Sequence, residues 1–471
     1  MRHERTATGR ELLWTAIVLA LAAPFTVILC LTLWRTPFPV TEAVAIFENV
    51  TNRAANVWIA DTPYYRPLFY VTVSTIWHGA GSLEQALDTI KLVQIVPVII
   101  LIAVFIRHLR PRTFPDAAAA SIALAVLIGS PGFRDNLELP LSYTTIGMPL
   151  ALIAWTLMNS PPRAWHAPVI VALTLVAIGF KEQGLVLVPL ALACWWTRAP
   201  GAPRGLAVTL AVIGVAYALF RLYWRADWPV FEQAIGLGFQ EIEVPDARAR
   251  FGEFPYWIYA YNGISTIANV LFAEPARGVF RIVRAWTAGQ GQMWQFAHVG
   301  SSIALTGLIG WWGVGSLRNA RTLGWSLESR AFVVWAVVLL ACGVLSFNYS
   351  RERLAGMAVP FHALAAFFAV RAAAARASGA SPMWFAVAAV ALMTLGAAWQ
   401  TRAVATIEHV RATAWRNHME WLVMLPDRRA EFAERPAYLR IMHAMVAQGT
   451  DPRSPQPTRY PGWVALTIGQ P

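Results

Sequence analysis

Long apolar runs alternate along this chain with short segments rich in arginine or in acids. A helix crossing the hydrocarbon of a bilayer needs about 20 predominantly apolar residues, with about 17–25 as the range. Residues 12–34 meet that length. Further apolar runs cover 90–106, 117–130, 143–158, 168–180, 185–196, 205–223, 297–315, 331–347, 357–370 and 384–399. The run 68–79 is too short to cross and predicts a juxtamembrane or half-inserted helix. The expectation is an all-α polytopic membrane protein with about eleven transmembrane helices and further helices along its extracytoplasmic surface.

The polar segments orient these spans. Alternate loops carry Arg107–Arg110–Arg112, Arg163, Arg198–Arg204, Arg318–Arg321–Arg330 and Arg371–Arg376. Basic loops stay in the cytoplasm. The N-terminus is then inside, and the loops 35–89 and 224–295 lie outside. Most of the acids fall on that outer side, among them Glu42, Glu48, Asp61, Asp135, Glu138 and Glu182. Residues 1–400 read as one transmembrane domain. Residues 401–471 read as an extracytoplasmic tail, helical around 403–425 and 430–447.

Composition agrees. Of 471 residues, 57% are hydrophobic and 14% charged, where a soluble domain is about 25% charged. The net charge of +12 sits in the short inside loops, so it does not indicate nucleic acid as a partner. Cys30, Cys194 and Cys342 all fall in apolar runs, without metal-ligand spacing or a disulfide framework. The first run follows Arg2, Arg5 and Arg10 as a signal peptide would. It is long, and no small-residue cleavage site follows, so a retained helix is expected.

Four outside positions could carry chemistry. The first loop holds Glu42, Glu48 and Asp61 and ends in Tyr64-Tyr65-Arg66-Pro67-Leu68. A carboxylate held at a lipid boundary can serve as a general base; solvated loop acids are the plainer reading. Arg134-Asp135-Asn136-Leu137-Glu138 places an ionisable cluster at a span end, where charge is costly unless paired or wet. Lys181-Glu182 puts one of only two lysines on the outer face, against the charge rule. It calls for an anionic partner, either Glu182 itself or a ligand phosphate. Arg351-Glu352-Arg353 suits phosphate as an arginine fork, or headgroups by snorkelling. Arginines and aromatics of 224–295 read better as an interfacial belt than as a sugar platform. His78, His298 and His362 are isolated in the sequence.

Taken in order, these motifs resemble the polytopic GT-C glycosyltransferases, nearest the branch of protein O-mannosyltransferases and their bacterial relatives. Glu42 matches the family's first-loop acid. Tyr65-Arg66-Pro67-Leu68 matches its Tyr-Arg-Pro-Leu, Asp135 or Glu138 its second acid, and Lys181-Glu182 its Lys-Glu. Glu352-Arg353-Leu354 matches its late Glu-Arg-Tyr-Leu without the tyrosine. The family acid is usually aspartate, often paired; here Thr41 precedes a single Glu42. The likeness spans about residues 10–370. It implies inverting transfer of a sugar from a polyprenyl-phosphate donor to a glycan, lipid or protein acceptor at the periplasmic face of a bacterial inner membrane. Glu42 would be the base. Arg66, Lys181 and Arg353 would hold the donor phosphate. Tyr65, Asp135, Glu138 and Glu182 would orient the acceptor or support those cations. No metal ligand is assigned, and the family leaves room for a divalent metal. An envelope polysaccharide polymerase or ligase, a transporter and a non-catalytic membrane protein are the competing classes. Charges cluster at span ends rather than within spans, which counts against transport.

Overall fold

The structure, a computed structural model, describes residues 2–36, 46–48, 50, 66–138, 144–221, 235–237, 240–242, 244–252, 256–272, 279–291, 293–428 and 439–443. The described chain is helical apart from one two-stranded antiparallel hairpin. There Ile235–Leu237 pairs with Gln240–Ile242, with Ile235 opposite Ile242.

Five helices are long and apolar enough to cross a membrane: Glu11–Arg35, Leu83–Leu109, Leu327–Leu345, Glu352–Ser378 and Pro382–Trp415. A sixth candidate is the bent pair Phe114–Gly129 and Pro131–Glu138. Thr144–Met158, His166–Phe180, Glu182–Trp196 and Arg204–Leu219 are apolar but shorter. By length and composition the described residues therefore supply five or six spans, fewer than the eleven expected. The physical reason is interruption: several expected spans are helices of 10–17 residues that end at polar turns. Pro67–Gly79, at 13 residues, is also too short to cross.

The helices are built as their sequences dictate. Ser82 caps Leu83–Leu109 by accepting from the Gln85 N–H at 3.2 Å. Thr113 and Asp116 form a capping box at the start of Phe114–Gly129. On Leu83–Leu109 the buried Leu87, Ile90, Gln94, Val98, Leu101 and Phe105 recur three or four residues apart. Leu92, Val96, Ile99 and Ile100 fall between them and are exposed. Such an uncovered apolar face suits lipid, not water.

One continuous core links most helices, with Trp155, Trp399, Phe105, Phe133, Phe361 and Phe367 at its centre. A smaller cluster joins Phe47 and Val50 to Phe69, Val73, Leu87, Ile90, Ile441 and Met442. Phe47 stacks on Trp77 at 4.7 Å. The short helix Pro67–Gly79 is thus packed against nearby segments and against Ile441 and Met442, far away in sequence.

Contacts sort the loops into two ends. At one end Glu11 pairs with Arg112 at 3.2 Å, and Trp155 Nε1 donates to His108 Nε2 at 3.0 Å. There also Arg330 donates to the carbonyls of Thr197 and Arg198, and Arg371 meets Glu328. These are the basic loops. Asp135, Lys181, Glu182 and Glu352 belong to the turns at the other end. The helix Pro382–Arg428 is unbroken over 47 residues. It runs straight through the boundary expected at residue 400, because no glycine or proline interrupts its register between Gly396 and Pro426.

Candidate functional site

Three helix interruptions build the acidic end. The first is at Ser130–Pro131, where the chain bends by 48°. Proline carries no N–H, and the residue before it avoids helical backbone; Ser130 is extended, with ψ 134°. The bend starts a separate helix, Pro131–Glu138, carrying Arg134, Asp135 and Glu138. The second is Lys181, extended at φ −160° and ψ 142°. It divides His166–Phe180 from the 3-10 turn Glu182–Val186. The third is Arg351, extended at φ −139° and ψ 153°, ahead of the 3-10 turn Glu352–Ala358.

The turns pack together. Asn136 Nδ2 donates to the Arg353 carbonyl at 3.0 Å and to the Gly132 carbonyl at 2.6 Å. The Thr144 hydroxyl donates to Gln183 Oε1 at 3.3 Å. Gln94 Nε2 donates to the Leu137 carbonyl at 2.9 Å. Gly356 sits tightly between them: a Cβ there would meet Asn136 Nδ2, lie 2.7 Å from Thr144 Cγ2 and 2.8 Å from Met148 Cε.

Arg66 stands directly before Pro67–Gly79. Its Nε donates to Glu182 Oε2 at 2.9 Å and its Nη2 to Oε1 at 2.7 Å. This two-point fork is the strong form of a guanidinium–carboxylate contact. Beside it Gly179 packs closely on Leu68, since a Cβ there would come within 2.7 Å of Leu68 Cδ1. Lys181 beside it is buried, and its charge acts on Glu182.

A second ionic group lies on Pro131–Glu138. Arg134 Nη2 meets Asp135 Oδ1 at 2.8 Å, and its Nε lies 3.5 Å from Glu138 Oε1. Glu138 Oε1 lies 2.9 Å from His409 Nε2. Glu352 acts on Asp135 through its charge, and Arg353 acts on Glu138 in the same way. Arg402 reaches in from the same helix as His409. Its Nη1 donates to Ser302 Oγ at 2.7 Å, Ser301 Oγ at 3.2 Å and the His298 carbonyl at 3.3 Å. Its guanidinium stands 3.8 Å over the Trp399 ring. Arg134, His298, Arg402, Thr406 and His409 surround a space of about 10 Å³, room for roughly one water and not for a sugar.

Of the sequence-predicted residues, Arg66 and Glu182 meet, with Lys181 adjacent. Asp135, Glu138 and Arg353 join the neighbouring group. Glu42, Tyr65 and Asp61 lie outside the described residues. Glu48, expected as a solvated or supporting acid, is buried, next to Phe47 of the small core. Among the described residues no three His, Cys, Asp or Glu side chains group to hold a metal ion. In the 224–295 stretch, Trp257, Trp286, Arg248 and Arg250 are exposed. Helix Tyr256–Phe272 is tied to the same end, since Asn262 donates to the Phe347 carbonyl and Thr266 meets Ser350 Oγ at 3.1 Å.

Arg402 and His409 fall on the side expected for the 401–471 tail, but they are not among the sequence-predicted site residues. Their signal was present in the sequence: Arg402, Thr406 and His409 are spaced by four and three, one helical face, immediately after an apolar span. Comparison with protein-family models, curated proteins and solved structures finds no match to this chain.

Proposed function

We propose that the protein transfers a sugar from a polyprenyl-phosphate donor to an acceptor hydroxyl, at the end of the bundle that holds Arg66, Lys181 and Arg353. The observation that carries this reading is the packing of three interrupted-helix turns. It brings Lys181–Glu182, Arg134–Asp135–Glu138 and Glu352–Arg353 to one end of an apolar bundle. Interrupted helices beside a lipid phase are where polar chemistry is tolerated, because neighbouring helices satisfy the freed backbone groups. Ionisable groups there are costly and favour a functional role.

In this reading Glu42 takes the proton of the acceptor hydroxyl as its oxygen attacks the anomeric carbon. The bond from that carbon to the phosphate oxygen breaks on the opposite side, inverting the centre. Its electron pair leaves with the polyprenyl phosphate. Arg66, Lys181 and Arg353 balance the charge that grows on the phosphate. Glu182 holds the Arg66 guanidinium in place before the donor arrives. The arginine-rich loops favour the extracytoplasmic side for this end, and the placement proposed is the periplasmic face of a bacterial inner membrane.

The test uses the full-length protein in nanodiscs. Polyprenyl phosphate is the binding probe, and release of labelled sugar from polyprenyl-phosphate hexoses is the activity readout. Arg353→Gln and Lys181→Gln are expected to weaken probe binding at least tenfold. Glu42→Gln is expected to bind normally and release no sugar. Probe binding unchanged in both cation variants, or wild-type turnover in Glu42→Gln, overturns the proposal.

A further inference from the structure

Helices Leu187–Trp196 and Arg204–Leu219 pack closely: a Cβ at Gly214 would lie 3.2 Å from Val188 Cγ2. Between them runs an outward-facing groove of about 550 Å³. Leu192, Val208, Val212 and Val215 line it, and Arg204 alone among its lining residues is charged. From Arg204 to Leu219 the groove follows one helix face for about 22 Å at 1.5 Å per residue.

The mouth of the groove has the composition of a membrane interface. Trp195 lines it next to Arg204, and the exposed Trp196 lies 5.7 Å from Trp325. Tryptophan and arginine in this arrangement mark headgroup depth. Arg198 is exposed beside the mouth. Arg330 is fixed there by its hydrogen bonds to the Thr197 and Arg198 carbonyls. An apolar trough whose one charged lining residue is Arg204, with no acid, complements a lipid with a negative headgroup.

We infer that this groove holds one acyl chain of an anionic phospholipid, with its headgroup phosphate at Arg204. The site is separate from the proposed transfer site and does not depend on it. A phosphodiester headgroup supplies oxygen acceptors for the Arg204 guanidinium. The acyl chain lies along Val208, Val212 and Val215. Net negative headgroups gain further from Arg198 and Arg330, a preference that added salt weakens.

Native mass spectrometry of the full-length protein, released from mixed phosphatidylglycerol and phosphatidylcholine vesicles, tests this. Wild type should keep one phosphatidylglycerol in preference to phosphatidylcholine by at least fivefold. Ala211→Trp, which fills the groove, should lose the retained lipid. Arg204→Gln should keep a lipid but lose the headgroup preference. Thermal unfolding of both variants checks that they remain folded. Equal retention of the two lipids by wild type, or a preference unchanged in both variants, overturns the inference. So does occupation of the groove by a second copy of the chain or by a polyprenyl phosphate in place of phosphatidylglycerol.

Discussion

Arg66 and Glu182, 116 residues apart, meet through two hydrogen bonds of 2.9 and 2.7 Å where the start of helix Pro67–Gly79 faces the turn after Lys181. The fork fixes the start of Pro67–Gly79 against the turn after Lys181. It also sets which way the guanidinium presents its remaining N–H groups.

Glu182→Gln removes the charge and one acceptor of that fork. Both side chains keep about a quarter of their surface, so solvent screens part of the loss. The expected destabilisation is about 1–2 kcal/mol, seen as a lower thermal midpoint in detergent. A double-mutant cycle with Arg66→Gln should give a coupling of about 1 kcal/mol; additive effects would show that the fork is not an energetic pair.

Gly356→Ala tests the packing of the turns. The added methyl enters space occupied by Asn136, Thr144 and Met148. It should displace Asn136 from the Arg353 carbonyl and cost about 1–3 kcal/mol. Gly307, with nothing within 4 Å of its Cβ position, is the control; Gly307→Ala should leave the midpoint unchanged or slightly raised.

His409→Leu deletes the 2.9 Å partner of Glu138. A loss of about 1–2 kcal/mol is expected. His409→Gln, which can still donate, should recover about half. Equal midpoints for the two variants would show that packing and not the polar contact with Glu138 is what His409 provides.

Arg402→Met takes away donors to Ser301, Ser302 and the His298 carbonyl and the contact over Trp399. The side chain is almost fully buried, and methionine fills much of the same volume. About 2–4 kcal/mol is the expected cost. Proteolysis near the junction of Met293–Leu323 and Pro382–Arg428 should increase in step. Unchanged protease resistance would argue against this clamp.

Several of these residues stood out in the sequence because their local surroundings marked them. Lys181 was visible as a lysine between two apolar runs, and Arg134–Asp135–Glu138 as charges at a span end. Arg402 and His409 were hidden because their face of Pro382–Arg428 belongs to a segment expected as a separate tail. Glu48 read as a loop acid because nothing local shows that Phe47 beside it stacks on Trp77.

The sequence by itself determined that the chain is helical and membrane-embedded, and which loops are basic, since hydropathy and charge are sums over neighbouring residues. Only the tertiary structure decided which charge meets which. Asn136 finds the Arg353 carbonyl 217 positions later, and Glu138 finds His409. Such pairings depend on where each interrupted helix comes to rest, and that is set by long-range packing at contacts such as Gly179 on Leu68 and Gly356 on Asn136.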